Sequence, residues 1–159
     1  NLYECPESIN VPSTAYQDNW VTWNSLNLLE NKPANQPWFM QVNFVGPHPP
    51  FIITEDMNET VNNRSFPAAM DSSFDTADMQ TVRRDYTAEV ENLDKQFKII
   101  IDKIIEMNEI DNTIICISSD HGEMLGDYNA WAKSKPWVAS SNVPFVCMGP
   151  GIKKDKIID

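Results

Sequence analysis

At 159 residues the chain is long enough for a domain with a real hydrophobic core, and 42% hydrophobic with 22% charged residues is an ordinary globular composition. A formal net charge of −11 argues against nucleic acid as a partner, because a phosphate backbone wants a basic face. No apolar run approaches the roughly 20 residues that a membrane span needs.

In chain order, residues 1–18 are rich in proline and polar groups and read as irregular. Asp18 is placed to cap a helix that would carry Trp20, Trp23, Leu26 and Leu29 on one apolar stripe. Asn31–Pro37 breaks it. Trp38–Val45 is short, apolar and bounded by Pro37 and Gly46, which predicts a strand. The three prolines of Gly46–Phe51 forbid regular structure and stiffen the loop. Residues 52–77 read as a long surface excursion. Asn58 and Asn63 there match the short glycosylation sequon. From about Asp78 to Met107, Val82, Tyr86, Val90, Leu93, Phe97, Ile101, Ile104 and Ile105 recur at helical spacing, with charged residues on the other face. Asn108–Asn112 ends that helix. Thr113–Ser119 is a β-branched run of buried-strand type, and Val143–Met148 is a further strand before Gly149. A long helix feeding a buried strand predicts an α/β fold.

The three cysteines, Cys5, Cys116 and Cys147, are odd in number and widely spaced, which fits neither a disulfide framework nor a zinc site. Cys116 and Cys147 lie in apolar runs and read as buried thiols. Both histidines, His48 and His121, fall just past predicted strands, as do Gly46, Gly122, Gly149 and Gly151. In open α/β sheets, ligands bind beyond the carboxyl ends of the strands. Adjacent Asp120 and His121 suit a divalent cation, or Asp120 caps a following helix and His121 is a polar loop residue. His48 is a candidate proton donor to a leaving group or an ordinary turn residue. Lys133, beside Ser134 and Lys135, neutralises an oxyanion or is simply solvated.

Taken together, these segments resemble the sulfatase family. Pro37–Phe51 is similar to its strand ending in Pro-His-x-Pro-Phe. Arg84–Tyr86 through Asn92–Asp94 resembles the family helix with Tyr and Asn-x-Asp. Asp111–Ile114 followed by Ser119–Asp127 is the strongest match, and Trp131–Lys133, Val143–Pro144 and Gly149–Ile152 continue it in order. The resemblance covers about residues 37–152. It implies a partial, alkaline-phosphatase-like α/β sandwich with a mainly parallel sheet flanked by helices. It also implies that residues 1–159 form a single partial catalytic domain, without its nucleophile segment and its C-terminal portion.

The implied activity is hydrolysis of sulfate esters with a formylglycine nucleophile and one divalent cation, usually Ca²⁺, with Mg²⁺ as the alternative. By motif match, Asp120 and His121 are metal ligands, His48 contacts the ester and assists the leaving group, and Lys133 binds a sulfate oxygen. The partner is a small sulfated ester or glycan, and the family setting is periplasmic, extracellular or lysosome-like. A phosphodiester or phosphonate monoester hydrolase, or a non-catalytic binding domain on the same scaffold, are the alternatives. The family's Cys-x-Pro-x-Arg nucleophile motif and its early paired aspartates are absent from this sequence. Trp137–Ala139 stands where many members have Tyr-Glu-Glu, and Tyr128 where many have histidine.

Overall fold

A computed structural model describes residues 8–74 and 76–157; Cys5 lies outside them. The chain divides into two compact units, one of residues 1–68 with 74–103 and one of residues 69–73 with 104–159.

The first unit is built on two helices, α1 (Gln17–Glu30) and most of α3 (Thr76–Glu106), with the short α2 (Glu55–Val61) between them in sequence. The apolar stripe expected on α1 is not the buried one. Trp20 and Trp23 are 58% and 61% exposed, while Asp18, Thr22, Ser25 and Leu29 are buried. Asp18 is no cap either, because it sits in the first turn after Tyr16. The buried face follows helical spacing, but it is polar, and spacing alone does not reveal which of two faces finds partners.

Thr22 and Ser25 donate to carbonyls of their own helix and Asp18 accepts from the 45–46 amides, while the half-buried Asn19 reaches α3. Its buried stripe runs through Val82, Asp85, Glu89, Asn92, Leu93, Gln96 and Ile100, so the expected helix is present but its inward face is partly polar. Asn92 Nδ2 donates to Asn19 Oδ1 at 2.9 Å, and Gln96 Nε2 donates to Asn92 Oδ1 at 3.3 Å. Lys103 pairs with Glu30 at 2.8 Å at the far end. A neutral buried bond of this kind contributes on the order of 1 kcal/mol, and leaving one partner unmade costs about 1–3 kcal/mol. The seam therefore fixes how α1 and α3 align more than it stabilises them.

Segment 52–77 is not a surface excursion throughout. Thr54 Oγ1 accepts from Met57 N at 3.4 Å and caps α2. Met57 and Val61, four residues apart on α2, pack with Tyr16, Ile53 and Ala88 in the core, and the partly buried Phe66 leans on them. Ile9 N donates to Ile53 O at 2.9 Å and ties the N-terminal segment to this cluster. Of the two sequons, Asn58 lies within α2 with a buried Oδ1, whereas Asn63 is exposed in a left-handed turn. Trp38–Val45 is extended, with half-buried and exposed residues alternating, yet it carries no strand pairing among the described residues. An edge with no partner strand is not a sheet, and at Val45 the amide goes to a carboxylate instead.

In the second unit, α3 ends in a Schellman arrangement. Asn108 takes φ 58°, its N–H donates to Ile105 O at 2.9 Å, and Glu109 N donates to Ile104 O at 3.1 Å. β1 (Ile115–Ser118) then pairs with β2 (Phe145–Met148). The pairing is antiparallel, so the mainly parallel sheet expected from the family is not what the described residues form; they make a two-stranded antiparallel ribbon within an α/β chain. The ribbon is also more open than its apolar sequence suggested, with Phe145 74% and Val146 60% exposed.

Cys116 faces Cys147 across this ribbon, and the two form a disulfide. The reading as two buried thiols is thereby corrected: antiparallel register brings together cysteines that sequence separates by 31 residues. A cross-link of that span restricts the unfolded chain by about 3–4 kcal/mol in the loop-entropy description. Cys116→Ser is expected to lower unfolding stability by a few kcal/mol under oxidising conditions and to change nothing under reducing ones, measured by denaturant titration. Peptide mapping without reductant is expected to recover the 116–147 pair.

Candidate functional site

The turn after β1 presents Ser119, Asp120 and His121, and its shape is set by close approach of a second segment. Gly122 N donates to Ser140 O at 2.9 Å, and a side chain at Gly122 would run into the Ala139 carbonyl. Only glycine lets those two backbones meet. Met124 is fully buried beneath them, and Gly126 takes φ 84° to turn the chain back.

Glu123 does positioning work that sequence reading missed. Its Oε1 accepts from Leu125 N at 3.2 Å and from Ala132 N at 2.7 Å, so one carboxylate closes the loop immediately before Lys133. The signal in the sequence was only an acidic residue in a glycine-rich turn. The far side of the loop is held by Asp127 Oδ1, which accepts from Met70 N at 2.8 Å, and by Asn129 Oδ1, which accepts from Ser73 N at 2.8 Å. Tyr128 stacks on Trp137 with ring centroids 4.6 Å apart.

This framework brings three of the four expected site residues together. Lys133 Nζ lies 2.9 Å from His121 Nε2, and Asp120 Oδ2 lies 3.6 Å from the same nitrogen. The tautomer follows from the neighbours. His121 Nδ1 is 2.8 Å from the Gly122 carbonyl, which can only accept, so Nδ1 carries the proton. An ammonium can only donate, so Nε2 offers its lone pair to Lys133. Asp120 is largely exposed, and its Oδ1 accepts from its neighbour's backbone, His121 N, at 3.1 Å. A carboxylate oxygen and an imidazole lone pair side by side fit two positions of a divalent cation's shell. No group of three or more His, Cys, Asp or Glu suited to a metal occurs among the described residues. A cation on Nε2 would take the lone pair that Lys133 now uses and leave the ammonium for an anion. Lys135, the other lysine of this loop, donates its backbone N–H to Ser140 Oγ at 3.3 Å.

His48 belongs to the first unit. It is exposed on the proline-rich loop, and its Nδ1 meets Pro49 O at 2.7 Å. The loop is held from beneath by Asp18 Oδ1, which accepts from Val45 N at 2.8 Å and Gly46 N at 3.2 Å. Its far end is anchored by the fully buried Phe51, whose ring meets Tyr86 edge-on at 5.6 Å. Asp18 was read as a helix cap, and nothing in its local sequence signals a partner 27 residues away.

With the fold and these loops in view, the chain can be compared with known proteins. The family model described as Sulfatase matches residues 2–159, and the chain belongs to the sulfatase family. It is 24% identical to an arylsulfatase of Clostridium perfringens over 89% of the chain and 34% of that protein. It is 28% identical to a choline-sulfatase of Rhizobium meliloti over 75% of the chain and 28% of that protein. The chain thus spans about a third of the length of these curated relatives. Its fold is that of the phosphonate monoester hydrolase of Agrobacterium radiobacter, with a TM-score of 0.82 at 22% identity over 91% of this chain and 35% of that one. It is equally recognisable in a protein solved with its substrate D-glucosamine-2-N,6-O-disulfate, with a TM-score of 0.78 at 17% identity over 85% of this chain and 43% of that one.

Gly122→Ala is expected to destabilise the second unit by about 1–3 kcal/mol, the usual cost of forcing a methyl group into a filled space. Chemical denaturation followed by tryptophan fluorescence measures it, since Trp131 and Trp137 lie in the same loop. An unchanged midpoint would mean that the two backbones do not meet.

Proposed function

We propose that the native protein hydrolyses sulfate esters, and that Asp120, His121, Lys133 and His48 are this chain's contribution to the reaction. What supports the reading most is the contact of Lys133 with His121 beside Asp120, on the turn that follows β1, in a member of the sulfatase family. The nucleophile of the reading is a formylglycine outside this sequence. A divalent cation, Ca²⁺ with Mg²⁺ as the alternative, would supply positive charge to the ester oxygens when bound.

Within this chain the roles follow from the chemistry of each group. Asp120 and His121 Nε2 would hold the cation, and the Gly122 carbonyl fixes the imidazole through Nδ1. Lys133 offsets charge on a nonbridging oxygen as the bond to the leaving group lengthens. His48, by its match to the Pro-His-x-Pro-Phe motif, contacts the ester and assists the leaving group; with Nδ1 on the Pro49 carbonyl, a proton from Nε2 to the departing oxygen requires the imidazolium. The substrate class is a small sulfated ester or a sulfated glycan. The compartment of the reading is exported or lysosome-like. A disulfide at Cys116–Cys147 is in keeping with an oxidising setting, and one relative is an extracellular sulfatase homologue of Drosophila melanogaster. No helix among the described residues is long and apolar enough to cross a membrane.

A phosphonate or phosphate ester is the second reading, favoured by the shared fold of the phosphonate monoester hydrolase. Comparing kcat/KM of the native protein for aryl sulfate, phosphate diester and phosphonate monoester separates the two. The sulfate ester is expected to lead. Asp120→Ala and Lys133→Ala are each expected to lower kcat/KM by about 10²-fold or more, the scale of losing one charge-stabilising group. Wild-type activity in either variant would remove that residue from the mechanism. With only two cation ligands assigned, calorimetric titration of the 159-residue chain with Ca²⁺ is expected to show weak binding at most, and tight stoichiometric binding would contradict the ligand assignment.

A further inference from the structure

The loop that presents His48 is held by an unusual arrangement of two buried carboxylates. Three of residues 45–52 are prolines, so only Val45, Gly46, His48, Phe51 and Ile52 have backbone N–H groups to offer. Asp18 takes those of Val45 and Gly46. Glu89 takes those of His48 and Ile52, together with the Tyr16 hydroxyl. Two side chains from different helices thereby occupy nearly every donor of the loop. Asp18 is 0% and Glu89 2% exposed.

Each carboxylate also has an oxygen without a hydrogen-bond partner among the described residues, Asp18 Oδ2 and Glu89 Oε2. Both face the same small space. A Cβ placed on Gly46 would lie 2.6 Å from Asp18 Oδ2 and 3.8 Å from Glu89 Oε2. That explains the glycine, and it puts both buried acceptors beside the same backbone position. Two ionised carboxylates in that position repel and stay unsatisfied, whereas a single proton satisfies both.

We infer that Glu89 carries a proton on Oε2 and donates it to Asp18 Oδ2, so that an acid–carboxylate pair fastens the His48 loop and makes Asp18 and Glu89 positioning residues. Asp18 Oδ1 already accepts the Val45 and Gly46 amides, which leaves Oδ2 as the acceptor for the Glu89 proton. Burial pushes the Glu89 carboxyl up to about 8; the Tyr16 hydroxyl opposes this, the Asp18 charge adds to it by less, and the two amides oppose it least. Tyr16 is held well above its ordinary value by burial and by Glu89, so its hydroxyl stays a donor. The groups facing Glu89 are thus Tyr16 and Asp18 from the α1 side and the amides of His48 and Ile52 from the loop. On α3 itself the preceding acid, Asp85, pairs with Arg84 Nε at 2.7 Å.

The sign of the pH effect follows. In the unfolded chain the carboxyl has its ordinary value of 4.5, and in the fold it is held up to about 8. Between those values the native state binds the extra proton, so this contribution to stability falls as pH rises from about 4.5 to about 8 and is flat above. Glutamine can donate to Asp18 and accept from the loop without titrating. Thermal unfolding of wild type and Glu89→Gln from pH 5 to 9 tests the pair. The wild-type Tm is expected to fall relative to the variant as pH rises to about 8, with no further divergence above it. Parallel profiles would overturn the inference.

Amide hydrogen exchange reads the clamp itself. At pH 6, Glu89→Ala is expected to speed exchange at Val45, Gly46, His48 and Ile52 by tenfold or more, while Glu89→Gln leaves it near wild type. Equal exchange in a folded Glu89→Ala protein would refute the clamp, and should that variant not fold, the glutamine comparison alone decides. A Tm gain from Ca²⁺ that Glu89→Gln abolishes would put a cation, not a proton, between the two oxygens and would also overturn the inference. The role given to His48 rests on the sulfatase reading, but none of these measurements uses a substrate. A confirmed clamp in a protein that cleaves no sulfate ester would sink that reading and leave the pair standing.

Discussion

Much of the first unit depends on where two carboxylates are buried. Asp18 and Glu89 lie on different helices, and both reach the same proline-rich loop. A loop with so few amides has few ways to be held, because proline offers no donor. The two acids supply acceptors for four of those amides, and among the described residues the segment leading into the loop has no paired edge. The cost is desolvation of charge, which proteins meet by pairing, hydrogen bonding or neutralising the group. The polar seam of Asn19, Asn92 and Gln96 continues this arrangement along α1 and α3. It ties helix register to loop position, so a slip of either helix would strand several buried polar groups at once.

The second unit solves a related problem by other means. Among the described residues its ribbon has two strands and exposes apolar side chains, so within them packing alone gives it little rigidity. A disulfide at the centre of the ribbon and a long loop closed by Glu123, Asp127 and Asn129 supply it instead. The reward is local: the loop carries Lys133 back to His121, with Asp120 alongside. Here charged side chains hold backbone, and backbone holds the histidine, through the Gly122 carbonyl on Nδ1.

Both loops share one logic. The reactive candidates, His48 and Lys133, are exposed and make few contacts of their own, while their neighbours are fixed by carboxylates bonded to main-chain amides. Such bonds are charge-assisted and stronger than neutral ones, and they set backbone position without touching the side chain that does the chemistry. The fold of loops held this way depends less on their exposed residues than on Asp18, Glu89 or Glu123, which a sequence reader passes over as surface acids.

The sequence by itself determined the long helix, both strands of the ribbon, the motif-bearing turns and the family. These rest on local periodicity, on glycine and proline placement, and on ordered motifs, all of which are properties of short windows. It also singled out Asp120, His121 and Lys133 before any contact between them was in view. It misjudged the buried face of α1, the role of Asp18, the state of Cys116 and Cys147 and the character of residues 52–77. Each of those depends on partners far along the chain: 27 residues for Asp18 and Val45, 31 for the two cysteines. An acid in a helix is favourable in water and unfavourable in a core until the tertiary structure supplies donors. The same residue therefore reads as a surface charge in sequence and becomes a structural anchor only in the fold.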